Sequence, residues 1–186
     1  MLPIFLISLF ISSTNSCSQV QKTWRCLDAT WTLFNRGSYS WCIRPAYGMV
    51  PLGNASSLCQ DLDSSAVLTG FQDLTELSKM SQEVANHNDS IVYMAIGAVR
   101  SDNCKTTESL STASCTPSNM FVWTDGKTTG SAGFNWLVRQ PNGCFEPGCS
   151  ASNWVVIYPG YSGKMDDFWE DWLVNGAICG MEAIQN

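Results

Sequence analysis

In the first half of the chain, apolar residues recur at helical spacing. Ala55, Leu58, Cys59 and Leu62 stand at i, i+3, i+4 and i+7 and so share one stripe of a helix. Asn54 stands before them in the N-cap position. A second helix opens at Asp73-Leu74-Thr75-Glu76, the spacing of a capping box with Asp in place of Ser or Thr. Leu77, Met80 and Val84 continue its inner face, and the polar cluster Asn86-His87-Asn88-Asp89 ends it. The pattern then changes. Residues 91–99 are apolar and largely β-branched or small, while 121–124 and 154–158 are short apolar runs with turn signals on both sides, the signature of strands. Between the last two lies a Gly-, Ser-, Thr- and Asn-rich stretch of roughly thirty residues, long enough for a functional loop. Helices first and strands afterwards predict an α+β fold.

Residues 4–11 are apolar apart from Ser8 and are followed by small residues up to Ser16. That is the pattern of a signal peptide, residues 1–16, and it is shorter than the ~20 apolar residues of a membrane span. A short N-terminal segment, 17–25, then precedes a single domain, 26–186. Nine cysteines agree with export to an oxidising compartment. They form no C-x-x-C pair and His87 is the single histidine, which argues against structural zinc. The sequons at Asn54 and Asn88 would be glycosylated on the secretory route. A net charge of −6 with ten basic residues excludes an electrostatic footprint for nucleic acid or anionic membrane.

Several pieces in order suggest a family. These are a hairpin-like stretch 31–42, the helix at 55–59, the run Val67-Leu68-Thr69, and Ala95-Ile96-Gly97-Ala98. They continue with Trp123-Thr124-Asp125-Gly126, Asn135-Trp136, Gln140-Pro141-Asn142 and Ile178-Cys179-Gly180. Together they resemble a C-type lectin-like domain of the compact secreted nematode type. The resemblance implies two helices flanking antiparallel β-sheets, a long ligand-binding loop and disulfide staples. It pairs Cys59 with Cys179 and Cys26 with Cys42; Cys104 then pairs with Cys115, and Cys144 with Cys149 closes locally. Cys17 is left over, free or for an intermolecular bond, unless cleavage falls one residue later. The family's inner bridge is missing, with Trp154 and Glu170 at its two positions.

The resemblance also implies a calcium site that grips a sugar. Gln140 and Asn142 would offer amide oxygens across a cis Gln140–Pro141 bond, and Asp166 and Asp167 would supply carboxylates. Ser152 stands where the family usually has a Glu, with Glu146 as a substitute on the loop. The same Gln140, Asn142, Asp166 and Asp167 side chains would bind sugar hydroxyls, and Trp169 and Trp172 would pack on a sugar ring. The alternative is a vestigial loop in which the two aspartates are a solvated pair.

Three function classes follow. The first is a secreted lectin for glycans, microbial ones included, in innate immunity, with Ca2+ as the bridge. The second is a calcium-independent module that binds a protein. The third, an enzyme, lacks support: no catalytic motif accompanies His87, and adjacent aspartates on a strand face opposite ways.

Overall fold

The computed structural model describes residues 22–105, 115–143 and 152–186. Helix α1 is Ser56–Leu62, with Ala55 and Cys59 fully buried as the stripe requires. It follows a 3-10 turn, Leu52–Asn54, so Ala55 and not Asn54 occupies the N-cap. Asn54 instead gives its carbonyl to the Ser57 hydroxyl at 2.8 Å. Helix α2 is Leu74–His87, and its inner residues Leu77, Met80 and Val84 are buried. Asp73 caps it by accepting from the N–H groups of Thr75 and Glu76. Glu76 does not complete the capping box, because its carboxylate is drawn to Arg36 and to the N–H of Gln72.

The strands are β1 (Trp24–Arg25), β2 (Thr32–Asn35), β3 (Ser40–Pro51), β4 (Val67–Leu68) and β5 (Met94–Arg100). They continue with β6 (Phe121–Trp123), β7 (Trp154–Tyr158), β8 (Lys164–Phe168), β9 (Leu173–Glu182) and β10 (Ile184–Gln185). The main sheet runs β2-β3-β9-β5-β7-β8, with β4 on β9 and β6 on β5, and β1 pairs with β10. All pairs are antiparallel except β5 with β9. The sheet divides two cores. Ile43, Met94, Ile96, Val155, Ile157 and Ile178 meet α2 on one face. Cys42, Ala46, Ala95, Val156, Ala177 and Cys179 meet α1 on the other. Central strands β3, β5 and β9 are thus buried on both faces and show no polar–apolar alternation. Gly97 permits a close crossing, since a Cβ there would lie 2.2 Å from the Leu68 carbonyl.

Three disulfides close as the resemblance implies: Cys26–Cys42, Cys59–Cys179 and Cys104–Cys115. The second ties α1 to β9 across 120 residues, a closure worth about 4–5 kcal/mol on the chain-entropy account. Cys17, Cys144, Cys149, Glu146 and residues 1–16, where a leader is expected, lie outside the described residues.

A polar network joins hairpin, helix and loop. Arg36 holds Glu76 through two nitrogens, at 2.8 and 2.6 Å, and also donates to Thr128 Oγ1 and the Gly70 carbonyl. Asp125 accepts from Thr69 Oγ1, Thr128 Oγ1 and the N–H groups of Gly70, Lys127 and Thr128. Burial pushes the Asp125 carboxyl up, but the donors, Thr128 first, outweigh it and hold the group below its usual range. A depressed folded-state pKa contributes stability above the unfolded value and loses it in acid. Asp125→Ala should therefore cost about 2 kcal/mol at neutral pH. In urea denaturation at neutral pH and at about pH 3, the gap between the two proteins should narrow in acid. An equal gap at both pH values would refute this role.

Candidate ligand-binding loop and its buried ion pair

The long loop leaves β6 and lies against β8. Trp123, Phe134 and Trp136 stack in series, with ring centroids 4.0 and 5.3 Å apart. Trp123 Nε1 donates to the Gly130 carbonyl and Trp136 Nε1 to the Pro117 carbonyl, both at 2.8 Å. Met165 of β8 donates its N–H to the Asn135 carbonyl and accepts from the N–H of Leu137. A turn follows in which Arg139 has φ 69° and Val138 is 89% exposed. The Gln140–Pro141 bond is cis. Asn142 and Gly143, the latter at φ 80°, then both donate their N–H groups to the Asp167 carboxylate at 2.8 Å.

Asp167 also receives Arg100 Nη2 at 2.5 Å, and both side chains are 0% exposed. Arg100 Nε donates to the Ser152 carbonyl at 2.9 Å, Nη1 lies 3.1 Å from Met120 Sδ, and the guanidinium sits 4.6 Å from the Phe121 ring centroid. Arg100 thus links the end of β5 to β8 and to the segment entering β7. Burial lowers the Arg100 pKa against the pull of Asp167. Burial raises Asp167 too, opposed first by Arg100 and then by the two loop N–H groups.

The residues expected in one site are divided by the strand. β8 alternates, so Asp167 faces the loop while Asp166 points to the other face. There Asp166 accepts from the Tyr158 hydroxyl at 3.2 Å, and burial raises its carboxyl. Trp169 and Trp172 join Phe168 in one aromatic group with Tyr93, with Trp172 4.9 Å from Phe168 and 5.6 Å from Tyr93. The expected convergence of Asp166 and Asp167 with Gln140 and Asn142 is therefore divided: Asn142 meets the Asp167 carboxylate through its backbone N–H, while the Asp166 carboxylate lies on the other face and accepts the Asp167 N–H. Gln140 Oε1 is buried without a hydrogen-bond partner among the described residues. Trp154, at a missing cysteine position, pairs across the sheet with Phe168 and shares a crevice of about 190 Å³ with Glu170.

Calcium requires six to eight oxygens, usually with several carboxylates. The Asp167 carboxylate is already shared among a guanidinium and two N–H groups, and Ser152 presents its carbonyl to the same arginine. Among the described residues no three His, Cys, Asp or Glu side chains are grouped to hold a metal. A dication placed here would also meet a buried positive charge. The described residues do not fit calcium. Sequence reasoning passed over Arg100; its signal was a cation ending an apolar strand run, which demands a buried anion.

A family model described as C-type lectin domain-containing protein 141/158 matches residues 27–151. The chain belongs to this C-type lectin domain family. C-type lectin domain-containing protein 141 of Caenorhabditis elegans is 27% identical over 150 residues, 72% of this chain and 48% of that protein. The chain thus spans about half the length of the curated relative it matches. The cow C-type carbohydrate-recognition domain of CD23, solved in the presence of GlcNAc2Man3 oligosaccharide, has a similar fold. It gives a TM-score of 0.60 at 18% identity, covering 87% of this chain and 99% of that one. A calcium-independent type II antifreeze protein gives 0.57 at 18% identity, covering 87% and 98%. No helix among the described residues is long and apolar enough to cross a membrane.

In this lectin-family domain, Asp167→Asn strands a buried cation. It should cost about 3–5 kcal/mol in urea denaturation, and adding Arg100→Met should recover part of that loss. Strictly additive costs would show that the two side chains do not act as a pair.

Proposed function

We propose that this protein is an extracellular glycan-binding module whose long loop is ordered without calcium. The observation that carries the reading is the Arg100 guanidinium in contact with Asp167, which already supplies the positive charge at the base of the loop. Membership of a C-type lectin domain family supports a sugar ligand, and the fold is shared with a carbohydrate-recognition domain and with a calcium-independent protein. Secretion is supported by the leader-like residues 1–16 and by three disulfides, and glycosylation by the exposure of Asn54 and Asn88. Microbial glycans, and with them a part in innate immunity, are the target class this reading carries forward.

A second reading, a protein ligand, is favoured by one feature. Val138, 89% exposed beside Arg139 at the loop tip, presents an apolar and a cationic group together. Such a pair suits a protein surface better than a hydroxylated sugar.

A glycan array probed in millimolar calcium and again in chelator tests both. The proposal expects the same glycans bound with affinities within about twofold, and a melting temperature that calcium does not raise. Binding abolished by chelator would sink calcium independence. An array with no bound glycan, beside a protein partner lost on Val138→Asp, would establish the second reading instead.

A further inference from the structure

A basin of about 600 Å³ lies between α2 and the β2–β3 hairpin, away from the long loop. Its helical side carries Lys79, Glu83, Asn86 and His87, at i, i+4, i+7 and i+8, beside the stripe that packs inward. Its sheet side carries Thr32, Arg44 and Tyr47. The volume falls within the usual range for a small-ligand site.

The charge of this basin runs against that of the chain. Among the described residues Arg36, Arg100, Lys105 and Lys127 are held in ion pairs, while Arg25 and Lys164 donate to asparagine side chains. Lys22, Arg44, Lys79 and Arg139 have neither kind of partner, and of these Arg44 and Lys79 line the basin. Two acids stand nearby and keep their charge: Glu83 accepts from Thr32 Oγ1 at 3.3 Å, and Asp28 from the N–H of Thr30 at 2.7 Å. Arg44 and Lys79 against Glu83 leave the lining one positive charge in excess on a protein of net charge −6, with the Asp28 carboxyl, outside the lining, lowered by its Thr30 hydrogen bonds and, from nearby, by Arg44.

The wall is shaped as well as charged. The Tyr47 ring stacks on His87 with centroids 4.1 Å apart and planes 10° apart, and Tyr47 remains 39% exposed. A stacked aromatic pair offers a flat apolar surface for the face of a pyranose ring, while Thr30, Thr32 and Asn86 offer hydroxyl and amide groups to ring hydroxyls. Arg44 can grip a carboxylate or sulfate through two nitrogens.

We infer that this basin binds an acidic sugar, a uronate or a sulfated hexose, at a site separate from the long loop. The inference rests on the glycan-binding reading and gives that reading a substrate class. The test is calorimetry of the whole protein at physiological salt with three probes: a hyaluronan tetrasaccharide (carboxylate), a heparin tetrasaccharide (carboxylate and sulfate) and neutral maltotetraose. At least one acidic probe should bind about tenfold more tightly than maltotetraose. Arg44→Gln with Lys79→Gln should erase that preference, as should Lys79→Glu alone, a change at an exposed helix position that lowers the melting temperature only slightly, through repulsion with Glu83 one turn on. Binding of hyaluronan would identify a carboxylate as the group gripped, and binding of heparin alone a sulfate. Acidic probes that bind no better than maltotetraose would overturn the inference. So would a preference that survives the basin variants and disappears on Arg139→Gln, which would place recognition on the loop and leave the glycan reading standing. Failure of the glycan reading itself would show as no binding of any of the three probes or of any sugar on the array.

Discussion

A guanidinium with no access to solvent costs several kcal/mol to desolvate unless an anion and further acceptors meet it. Arg100 finds Asp167 two strands away, on the far side of β7, and the Ser152 carbonyl where the chain enters that strand. The requirement couples three things that are remote in sequence: the end of β5, the register of β8 and the path of residues 142–143. A one-residue slip of β8 would turn Asp167 to the Tyr158 face and bury Arg100 unpaired. The pair thus fixes register as well as charge. The family's inner bridge is absent here, and this ion pair ties the same region of the sheet by noncovalent means.

The described part of the loop, up to Gly143, is held near each end by an aspartate that serves as an acceptor hub. At its start, Asp125 gathers Gly70, Lys127 and Thr128, and the network extends through Arg36 to Glu76 of α2 and through Thr69 to Trp41. At its end, Asp167 gathers Asn142, Gly143 and Arg100. Between them, stacked Trp123, Phe134 and Trp136 bury the loop's apolar side against the core. Among the described residues of the loop, the short turn at Val138 and Arg139 projects. The described part of the loop thus forms a ledge held in place by the chain's own side chains. The positive basin beside α2 lies apart from it, built from the outer margin of the helix whose inner face fills the core.

Much of this was legible in the residues. Periodicity located both helices, and β7 was read residue for residue, because short apolar runs between turn signals have few other uses. The pairings Cys59–Cys179, Cys26–Cys42 and Cys104–Cys115 came through the family resemblance. The family resemblance places a ligand pair at Asp166 and Asp167 on β8, although the strand's alternation sends one aspartate to each face. Strand β9 has glycines at 176 and 180 where Ala46 and Trp41 crowd the backbone, which dilutes its strand signal. The candidate site was only half visible. Sequence motifs mark which oxygens are available, but not that an arginine 67 residues before Asp167 has already claimed one of them. That arginine fell just past the apolar run 91–99, outside the resemblance's ligand set, and only the fold brings it to Asp167.

The central claim is that Arg100, and no bound cation, organises the end of the loop. Amide hydrogen exchange at Asn142 and Gly143 addresses it directly, since both N–H groups donate to Asp167 only while the loop is in place. The account predicts that both amides are protected in chelator, that added calcium leaves their protection unchanged, and that Arg100→Met abolishes it. Amides that exchange freely in chelator and become protected only when calcium is added would contradict it.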